Sequence, residues 1–206
     1  MAAIDMKKSW KQLYAPSAKA SAIVDVPPIL FLMIDGAGDP NTSPDYPLVI
    51  EALYTLSYGL KFALKRELAL DYAVMPLEGL WWADDMSQFR MDERSNWRWT
   101  MMIAQPEEVT AERYEAACAA AAKKRDQATM RRVRREIYHE GLSAQVMHLG
   151  PYAAEAPTIA GLHTFITEQG YALSGKHHEI YLKDPKRTAP AKLQTVIRQP
   201  ITREAG

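Results

Sequence analysis

The sequence has only one cysteine, Cys118, among its 206 residues. An internal disulfide is therefore excluded, and a cysteine-rich metal site is excluded with it. Cys118 lies within an alanine-rich run, where we expect it to be a small apolar residue of a helix. A cytoplasmic location is the default expectation for such a chain.

Long hydrophobic runs and an excess of charge of one sign are also missing. The longest strongly apolar stretch, residues 29–34, is far shorter than the roughly 20 residues needed to cross a bilayer. Residues 1–8 lack the apolar core of a secretory signal. Lysine and arginine together number 25, which equals the number of aspartates and glutamates. We therefore expect neither a membrane nor a nucleic acid as a partner.

One local run of basic residues is the exception. Seven lysines and arginines lie between Lys123 and Arg135. Asp126 interrupts the run, Glu136 and Glu140 follow it, and no helix-turn-helix or base-stacking motif accompanies it. We interpret the run as a solvated helix face rather than as a nucleic-acid site.

The strongest feature that is present is an internal repeat. Residues 99–106, WTMMIAQP, close the first half of the chain, and residues 193–200, LQTVIRQP, close the second. Each half also has an earlier strand that ends in a glycine turn, then a helix-like segment, then a strand that carries a glutamate near aromatic residues. Two such β-α-β-β units predict an α+β module with pseudo-two-fold symmetry and a cleft between the copies.

This organisation sets the predicted boundaries. Residues 1–26 form an N-terminal lead-in that packs loosely on the surface, and residues 27–203 form a single domain. The predicted parts of that domain are repeat one at 27–106, a connecting helical segment at 107–141 and repeat two at 142–203. Leucines at helical spacing predict a helix over residues 47–67 in repeat one.

Several short motifs, taken together in this order, resemble those of one protein family. They are Pro76-Leu-Glu-Gly-Leu-Trp81, Thr100-Met-Met-Ile-Ala-Gln-Pro106, Val146-Met-His148 with the turn Gly150-Pro-Tyr152, Glu179-Ile-Tyr-Leu182 and Gln199-Pro-Ile201. Over roughly residues 20–203 the chain resembles the GyrI-like small-molecule-binding proteins. It is most similar to a stand-alone subgroup of that family.

The resemblance implies a fold and a class of function. The implied fold is a curved antiparallel sheet built from the two repeats, with helices on one face and a central ligand cleft. Relatives fused to DNA-binding domains sense lipophilic cationic drugs, whereas some stand-alone relatives are cyclopropanoid cyclopropyl hydrolases. These hydrolases open the strained cyclopropane of DNA-alkylating natural products with an aromatic cage, which gives xenobiotic resistance. Residues 1–26 are too few for a DNA-recognition domain, so a regulator of the fused type is not expected.

Glu179 and Tyr181 are the candidate catalytic residues. They are two apart on a predicted strand, so both side chains leave one face, which we expect to be the open face that lines the cleft. His178 and Ile180 lie on the other, mostly apolar face, which suits the helix-covered side. A carboxylate among aromatic rings loses hydration, and this makes it a better base or a counter-ion for a cationic ligand. The alternative is a solvated glutamate beside an ordinary packed tyrosine.

Six further residues are candidates for ligand binding, namely Tyr54, Tyr58, Glu78, Trp81, Trp99 and His148. Glu78 is the pseudo-symmetry partner of Glu179, and it faces the same cleft or pairs with a cation. The family resemblance favours Trp81 over Trp82 for the cleft.

The remaining candidates each have a structural alternative. Tyr54 and Tyr58 share one face of the first helix, where they project toward the cleft edge or are half-buried amphipathic residues. Trp99 belongs to an aromatic and methionine stripe that is more often core, and a lone histidine such as His148 is more often hydrogen-bonded within the structure than catalytic. We expect no metal, because the sequence offers no set of ligands at a zinc spacing, and no cofactor.

Three functions fit this pattern of residues. The first is a hydrolase that opens an electrophilic strained ring, with Glu179 activating a water and Tyr181 or Tyr58 donating a hydrogen bond to the developing charge. The second is a binder or sensor of planar hydrophobic or cationic drugs, with Glu179 as the counter-charge. The third is an interaction module whose cleft holds a protein partner. We expect a monomer in each case.

Overall fold

The computed structural model describes residues 2–86, 93–122 and 127–203. The strands are β1 Ala2–Ile4, β2 Ala22–Val26, β3 Ile29–Ala37, β4 Leu70–Tyr72, β5 Leu77–Trp82, β6 Arg98–Ala104, β7 Arg134–Tyr138, β8 Gly141–Leu149, β9 Tyr171–Leu173, β10 His177–Tyr181 and β11 Gln194–Arg203. The helices are α1 Met6–Ser9, α2 Lys11–Tyr14, α3 Asp45–Leu68, α4 Ala111–Ala121, α5 Gln127–Met130 and α6 Ala156–Glu168. The predicted order of strand, helix, strand, strand is present in both halves, as β3-α3-β5-β6 and β8-α6-β10-β11, with a short extra strand directly after each helix.

The chain divides into two compact units. The first contains Met1–Ser9, Ile29–Met75 and Ala83–Tyr138, and the second contains Trp10–Pro28, Pro76–Trp82 and His139–Gly206. The units do not follow the sequence repeats, because β5 of the first repeat belongs to the second unit. The strands of the main sheet in each unit pair antiparallel, while β1 and β4 of the first unit form a separate two-stranded parallel sheet. The α+β fold class is confirmed.

In the first unit, β3 lies between β6 and β7. Its residues pair with β6 from Phe31 opposite Ala104 to Ala37 opposite Arg98. The long helix α3 contacts β3 and β6, and it buries the stripe of leucines that predicted it, Leu53, Leu56, Leu60 and Leu64. This helix spans 24 residues, against the 21 predicted over residues 47–67, so the leucine spacing was a reliable guide.

In the second unit, the strands run in the order β2, β8, β11, β10, β5. The short strand β9 pairs with the C-terminal end of β11. Helix α6 packs onto β8 and β11, where Leu162 and Ile166 contact a core that includes Val146 and Ile197. The alternation of apolar and polar residues along β8 and β11 thereby gives this sheet one face that α6 covers.

The connecting segment is only partly helical. Helix α4 begins at the N-cap Thr110, whose side chain accepts a hydrogen bond from the Arg113 N–H, and the chain is helical again in α5. The connecting segment was predicted to be helical, with breaks, to about His139, and this is wrong for Arg134–Tyr138, which forms β7. The reason is that β3 has a second edge whose backbone groups need partners, and the backbone of β7 supplies them from Ile29 opposite Tyr138 onwards.

The arginines of the predicted basic face make specific contacts. Residues 123–126 of that run lie outside the described residues. Arg132 donates hydrogen bonds to both carboxylate oxygens of Asp45, at 2.7 and 2.8 Å. Arg134 pairs with Asp35, at 2.9 and 3.1 Å, and with Glu136. These cations are therefore neutralised by neighbouring carboxylates.

The N-terminal residues differ from the loosely packed lead-in that the sequence predicted. Leu13 is fully buried and Tyr14 is 5% exposed. Strand β2 pairs with β8, from Ala22 opposite Gln145 to Val26 opposite Gly141. The sequence did not predict this packing because the N-terminal segment is mostly polar and only a few of its apolar side chains face inward. In the described part of the chain, none of the helices has the length and apolar character that a membrane span requires.

Candidate functional site

Strand β10 carries chemically different side chains on its two faces. His177, Glu179 and Tyr181 alternate with His178 and Ile180. In the pairing with β5, Glu179 lies opposite Gly79 and His177 lies opposite Trp81. Residues directly opposite one another share a face. Trp81 therefore joins Glu179 and Tyr181, as the family resemblance suggested.

These side chains are linked by hydrogen bonds. The Tyr181 hydroxyl donates to Glu179 Oε2 at 2.7 Å, and it accepts from the Trp81 indole N–H at 3.2 Å. His177 Nε2 lies 3.2 Å from the other carboxylate oxygen, Glu179 Oε1. Glu179 is only 7% exposed and Trp81 only 3%. The carboxylate is thus held in a fixed orientation and is not turned into bulk water.

Gly79 makes room for the indole of Trp81. A Cβ atom at this position would lie 2.8 Å from Trp81 Nε1 and 3.0 Å from Cε2. The indole consequently rests on bare backbone beside the Glu179 carboxylate. The Tyr152 ring, from the Gly-Pro-Tyr turn, meets the Tyr181 ring edge to face with centroids 5.4 Å apart. We refer to Trp81, Tyr152, His177, Glu179 and Tyr181 as the β10 site.

The β10 site lies on the helix side of the sheet, which corrects the predicted assignment of faces. Glu179 pairs with Ile197, and Ile197 pairs with Val146, so all three share a face. Val146 and Ile197 are the residues on which α6 packs. The predicted alternation along β10 is correct, but alternation alone does not say which face a helix covers.

Two buried polar atoms on this side have no hydrogen-bond partner within the described residues. They are Thr195 Oγ1, on a residue opposite Tyr181, and His163 Nε2, on α6. Burial lowers the pKa of His163, and the nearby His177 lowers it further, so the imidazole is neutral at pH 7. A neutral imidazole and a hydroxyl can each donate or accept a hydrogen bond. Both groups therefore have hydrogen-bonding capacity that the described residues leave unused.

Glu78 lies on the opposite face of the same strands. It alternates with Gly79, so it is one residue out of phase with Glu179. Its Oε1 accepts a hydrogen bond from the Tyr14 hydroxyl at 2.7 Å, and its Oε2 lies 3.0 Å from His178 Nε2. Glu78 therefore does not face the same side as Glu179, although the two glutamates occupy similar places in the repeats.

His178 is the centre of a buried cluster on that opposite face. Its Nδ1 lies 2.9 and 3.1 Å from the two oxygens of Glu140, whose Oε2 also accepts a hydrogen bond from Arg198 at 3.0 Å. Because both ring nitrogens face carboxylates, both donate, and the ring is an imidazolium. We refer to Tyr14, Glu78, Glu140, His178 and Arg198 as the buried ionic cluster.

The opposite charges of this cluster keep one another ionised although the groups are buried. Burial alone would lower the pKa of His178, but Glu140 and Glu78 raise it to about 9. Burial alone would raise the pKa of Glu140, but His178 and Arg198 hold it at about 2. Burial and the neighbouring Glu78 raise the pKa of Tyr14 well above its usual value, so its hydroxyl remains a donor.

The other predicted ligand residues lie elsewhere. His148 is 5% exposed, its Nδ1 is 2.9 Å from Thr158 Oγ1 and its Nε2 is 3.3 Å from the Pro151 carbonyl, so it braces the Gly-Pro-Tyr turn against α6. In the first unit, Trp99 is fully buried, its indole covers Gly36, and it donates to the Gly38 carbonyl at 3.2 Å.

Tyr54 and Tyr58 also belong to the first unit. Their rings are stacked along α3 with centroids 6.3 Å apart, and Phe62 continues the stack one turn later. Tyr58 is 48% exposed. The shared helix face predicted for the two tyrosines is confirmed, while their contribution to ligand binding stays a prediction.

Comparison with known proteins places the chain in a family. Residues 19–202 match the family model of the GyrI-like small molecule binding domain. The chain belongs to the GyrI-like family. No curated protein matches its sequence at a significant level. The function common to the family, binding of small molecules, therefore applies to this member.

Three solved structures of GyrI-like relatives come from Listeria innocua. One is an uncharacterized conserved protein with 36% identity and a TM-score of 0.88, over 97% of this chain and 100% of that chain. The second is a hydrolase with 34% identity and a TM-score of 0.82, over the same shares of the two chains. The third is a hydrolase with 35% identity and a TM-score of 0.84, over 97% of this chain and 99% of that chain.

Proposed function

We propose that this GyrI-like protein is a cytoplasmic hydrolase that opens strained electrophilic rings, such as the cyclopropane of DNA-alkylating natural products, and so confers resistance to them. The observation that supports it best is the buried Glu179 carboxylate, oriented by Tyr181 and His177 beside the Trp81 indole. Two relatives of about one-third identity are hydrolases, which favours a reaction over binding alone.

The β10 site suits a flat, conjugated substrate. Trp81, Tyr152 and Tyr181 form the proposed aromatic cage, in which Tyr152, at 37% exposed, is the most accessible ring. Ring strain supplies much of the driving force, so holding the substrate and a water in line contributes much of the catalysis.

Glu179 is the proposed general base. It takes a proton from a water, and the water oxygen bonds to a cyclopropane CH₂ carbon while the bond from that carbon to the ring junction breaks. The released electron pair passes into the conjugated carbonyl, whose oxygen then takes up a proton. Tyr181 donates to Glu179, so its first task is to orient the base. The Thr195 hydroxyl and the His163 imidazole are the polar groups proposed to meet the substrate.

The test is turnover with catalytic amounts of protein. We expect ring-opened product from a duocarmycin-type cyclopropane compound, detected by mass, at many molecules per protein. Glu179→Gln should keep the fold and the affinity for neutral planar ligands while product formation is lost. Glu168→Gln, an exposed change at the end of α6, is the matched control and should retain full activity. Product formation by Glu179→Gln at the wild-type rate would refute Glu179 as the base.

The second candidate function is binding without reaction. A buried carboxylate beside aromatic rings also suits a planar cation, which gains both a counter-charge and cation–π contacts. In that case the protein would protect the cyclopropane compound one to one and release no product. Glu179→Gln would then weaken cationic ligands selectively.

A further inference from the structure

The two faces of β5 and β10 carry two separate groups of functional side chains. On one face lie Glu179 and Tyr181 of β10 with Trp81 of β5, and on the other lie His178 of β10 and Glu78 of β5. Any shift between these two strands therefore changes both groups together. A slip of one residue would turn every side chain of a strand to the other face.

On the face of the β10 site, the central one of the three opposed pairs adds no side-chain packing to the register of the two strands, and the pairs on either side of it are His177 with Trp81 and Tyr181 with Leu77. Glu179 lies opposite a glycine, so this central pair has no contact between side chains. The indole of Trp81 lies back over Gly79 of its own strand. The Trp81–Tyr181 hydrogen bond, at 3.2 Å, forms only if the two strands are already aligned.

The opposite face supplies the charged contact between the same strands. His178 is opposite Leu80 and Glu78 is opposite Ile180, so the 3.0 Å contact of His178 with Glu78 is a diagonal bridge from β10 to β5. Both side chains are 1% exposed. A buried charge that loses its partner is strongly destabilising, so registers that break the bridge are strongly disfavoured.

The bridge is fixed in turn by the N-terminal helix α2 and by β11. Tyr14 holds the second oxygen of Glu78 at 2.7 Å, and Glu140 holds the second nitrogen of His178. Arg198 joins Glu140 to the carbonyl of Leu13, to which it donates at 2.8 Å. Every charged group of the cluster thus has a partner, as a fully satisfied buried network requires.

We propose that Tyr14, Glu78, Glu140, His178 and Arg198 are positioning residues that set the register of β5 against β10 and so bring the Trp81 indole N–H to the Tyr181 hydroxyl, which orients the Glu179 carboxylate. They act through the strands and touch no substrate. The inference rests on the proposed function only for its effect on turnover. Its effect on Trp81 is independent of any reaction.

The hydrogen bond of the Trp81 indole provides a direct readout. We would record the indole N–H signals by ¹H–¹⁵N NMR and assign Trp81 by its loss in Trp81→Phe. Tyr14→Phe removes one hydroxyl from the cluster and should move the Trp81 signal. The Trp99 signal should stay in place, because Trp99 donates to the Gly38 carbonyl in the other unit.

Tyr72→Phe is the matched control. Tyr72 is likewise buried, at 3%, and its hydroxyl donates to Gln105 at 3.3 Å, remote from the cluster in sequence. Tyr72→Phe removes the same hydroxyl group as Tyr14→Phe does, and it should leave the Trp81 signal unchanged. A positioning role also predicts that Tyr14→Phe lowers kcat for the cyclopropane compound by on the order of 10- to 100-fold, more than it raises KM.

A pH titration gives a second test. The groups that face His178 are Glu78, Glu140, Arg198 and Tyr14, with Glu179 and His177 next to it on its own strand. Loss of the His178 proton should move the Trp81 signal with a midpoint near pH 9, and His178→Gln should abolish that step. A Trp81 signal that ignores both Tyr14→Phe and pH would overturn the inference. If Tyr14→Phe and pH shift the Trp81 signal but the wild-type protein shows no turnover, the positioning role is supported and the proposed hydrolase activity is refuted.

Discussion

At the scale of single residues, β10 shows what a period of two can and cannot reveal. Glu179 and Tyr181 were predicted to share a face because they are two apart, and the 2.7 Å hydrogen bond between them agrees. Neighbouring His178 was dismissed as part of an apolar face, yet it is the centre of the buried ionic cluster. One signal was present in the sequence, since Arg198 is charged where the matching position of the first repeat has Ala104.

Gly79→Ala tests whether the place of the Trp81 indole matters. The added Cβ would lie 2.8 Å from Nε1, so the indole must move, at a cost of about 1–3 kcal/mol. We expect weaker binding of planar ligands, measured by titration, together with lower stability in urea unfolding. Gly161→Ala in α6 adds the same atom in open space and should stabilise by about 0.5–1 kcal/mol. Unchanged affinity in Gly79→Ala would show that ligands do not use this indole.

His178 predicts how stability depends on pH. Its pKa is raised from 6.5 to about 9, so its contribution is complete below pH 6.5 and is lost as the pH rises through 9. The pKa of Glu140 is lowered from 4.5 to about 2, so its contribution is present above pH 4.5 and is lost as the pH falls toward 2. The free energy of unfolding should therefore be highest between pH 4.5 and pH 6.5, where both contributions are complete.

Urea unfolding from pH 5 to pH 10 checks this profile. His178→Gln should be less stable throughout and should lack the decline above neutral pH. His139→Gln, at an exposed histidine, should keep the wild-type profile. A wild-type curve that is flat up to pH 10 would contradict a protonated His178.

At the scale of elements, local sequence patterns predicted the helices and strands that have a clear hydrophobic pattern of their own. The leucine stripe located α3, and the apolar residues 29–34 located β3. Strand β7 was missed because its charged residues resemble the continuation of a solvated helix, and only the free edge of β3 explains its conformation. Edge pairing is a tertiary effect that no single segment encodes.

The N-terminal segment is the element for which prediction and structure differ most. Leu13 is fully buried, so Leu13→Ala should destabilise the protein by about 2–5 kcal/mol in thermal or urea unfolding. The side chain of Gln12 is exposed, and Gln12→Ala should change stability by no more than about 0.5 kcal/mol. If both changes had equally small effects on stability, the N-terminal segment would be loosely packed, as the sequence predicted.

At the scale of the whole molecule, the internal repeat predicted the order of strands and helices correctly, but it did not predict the arrangement of the site residues. The two halves share strand and helix order, but Glu78 and Glu179 fall on opposite faces because pairing register places Gly79 opposite Glu179. Sequence symmetry therefore overstated functional symmetry. The contact of Tyr14 with Glu78 joins residues 64 apart in the chain, and no local signal predicts a pair at that separation.

The proposed function depends on small molecules binding at Trp81, Glu179 and Tyr181. A crystal structure of the protein soaked with a planar aromatic compound would show where such molecules bind. We predict a ligand stacked on Trp81 or Tyr152, with a polar atom within hydrogen-bond distance of Glu179, Thr195 or His163. A well-ordered ligand bound only at sites remote from β10, with the β10 site unchanged, would show that the β10 site is not the binding site.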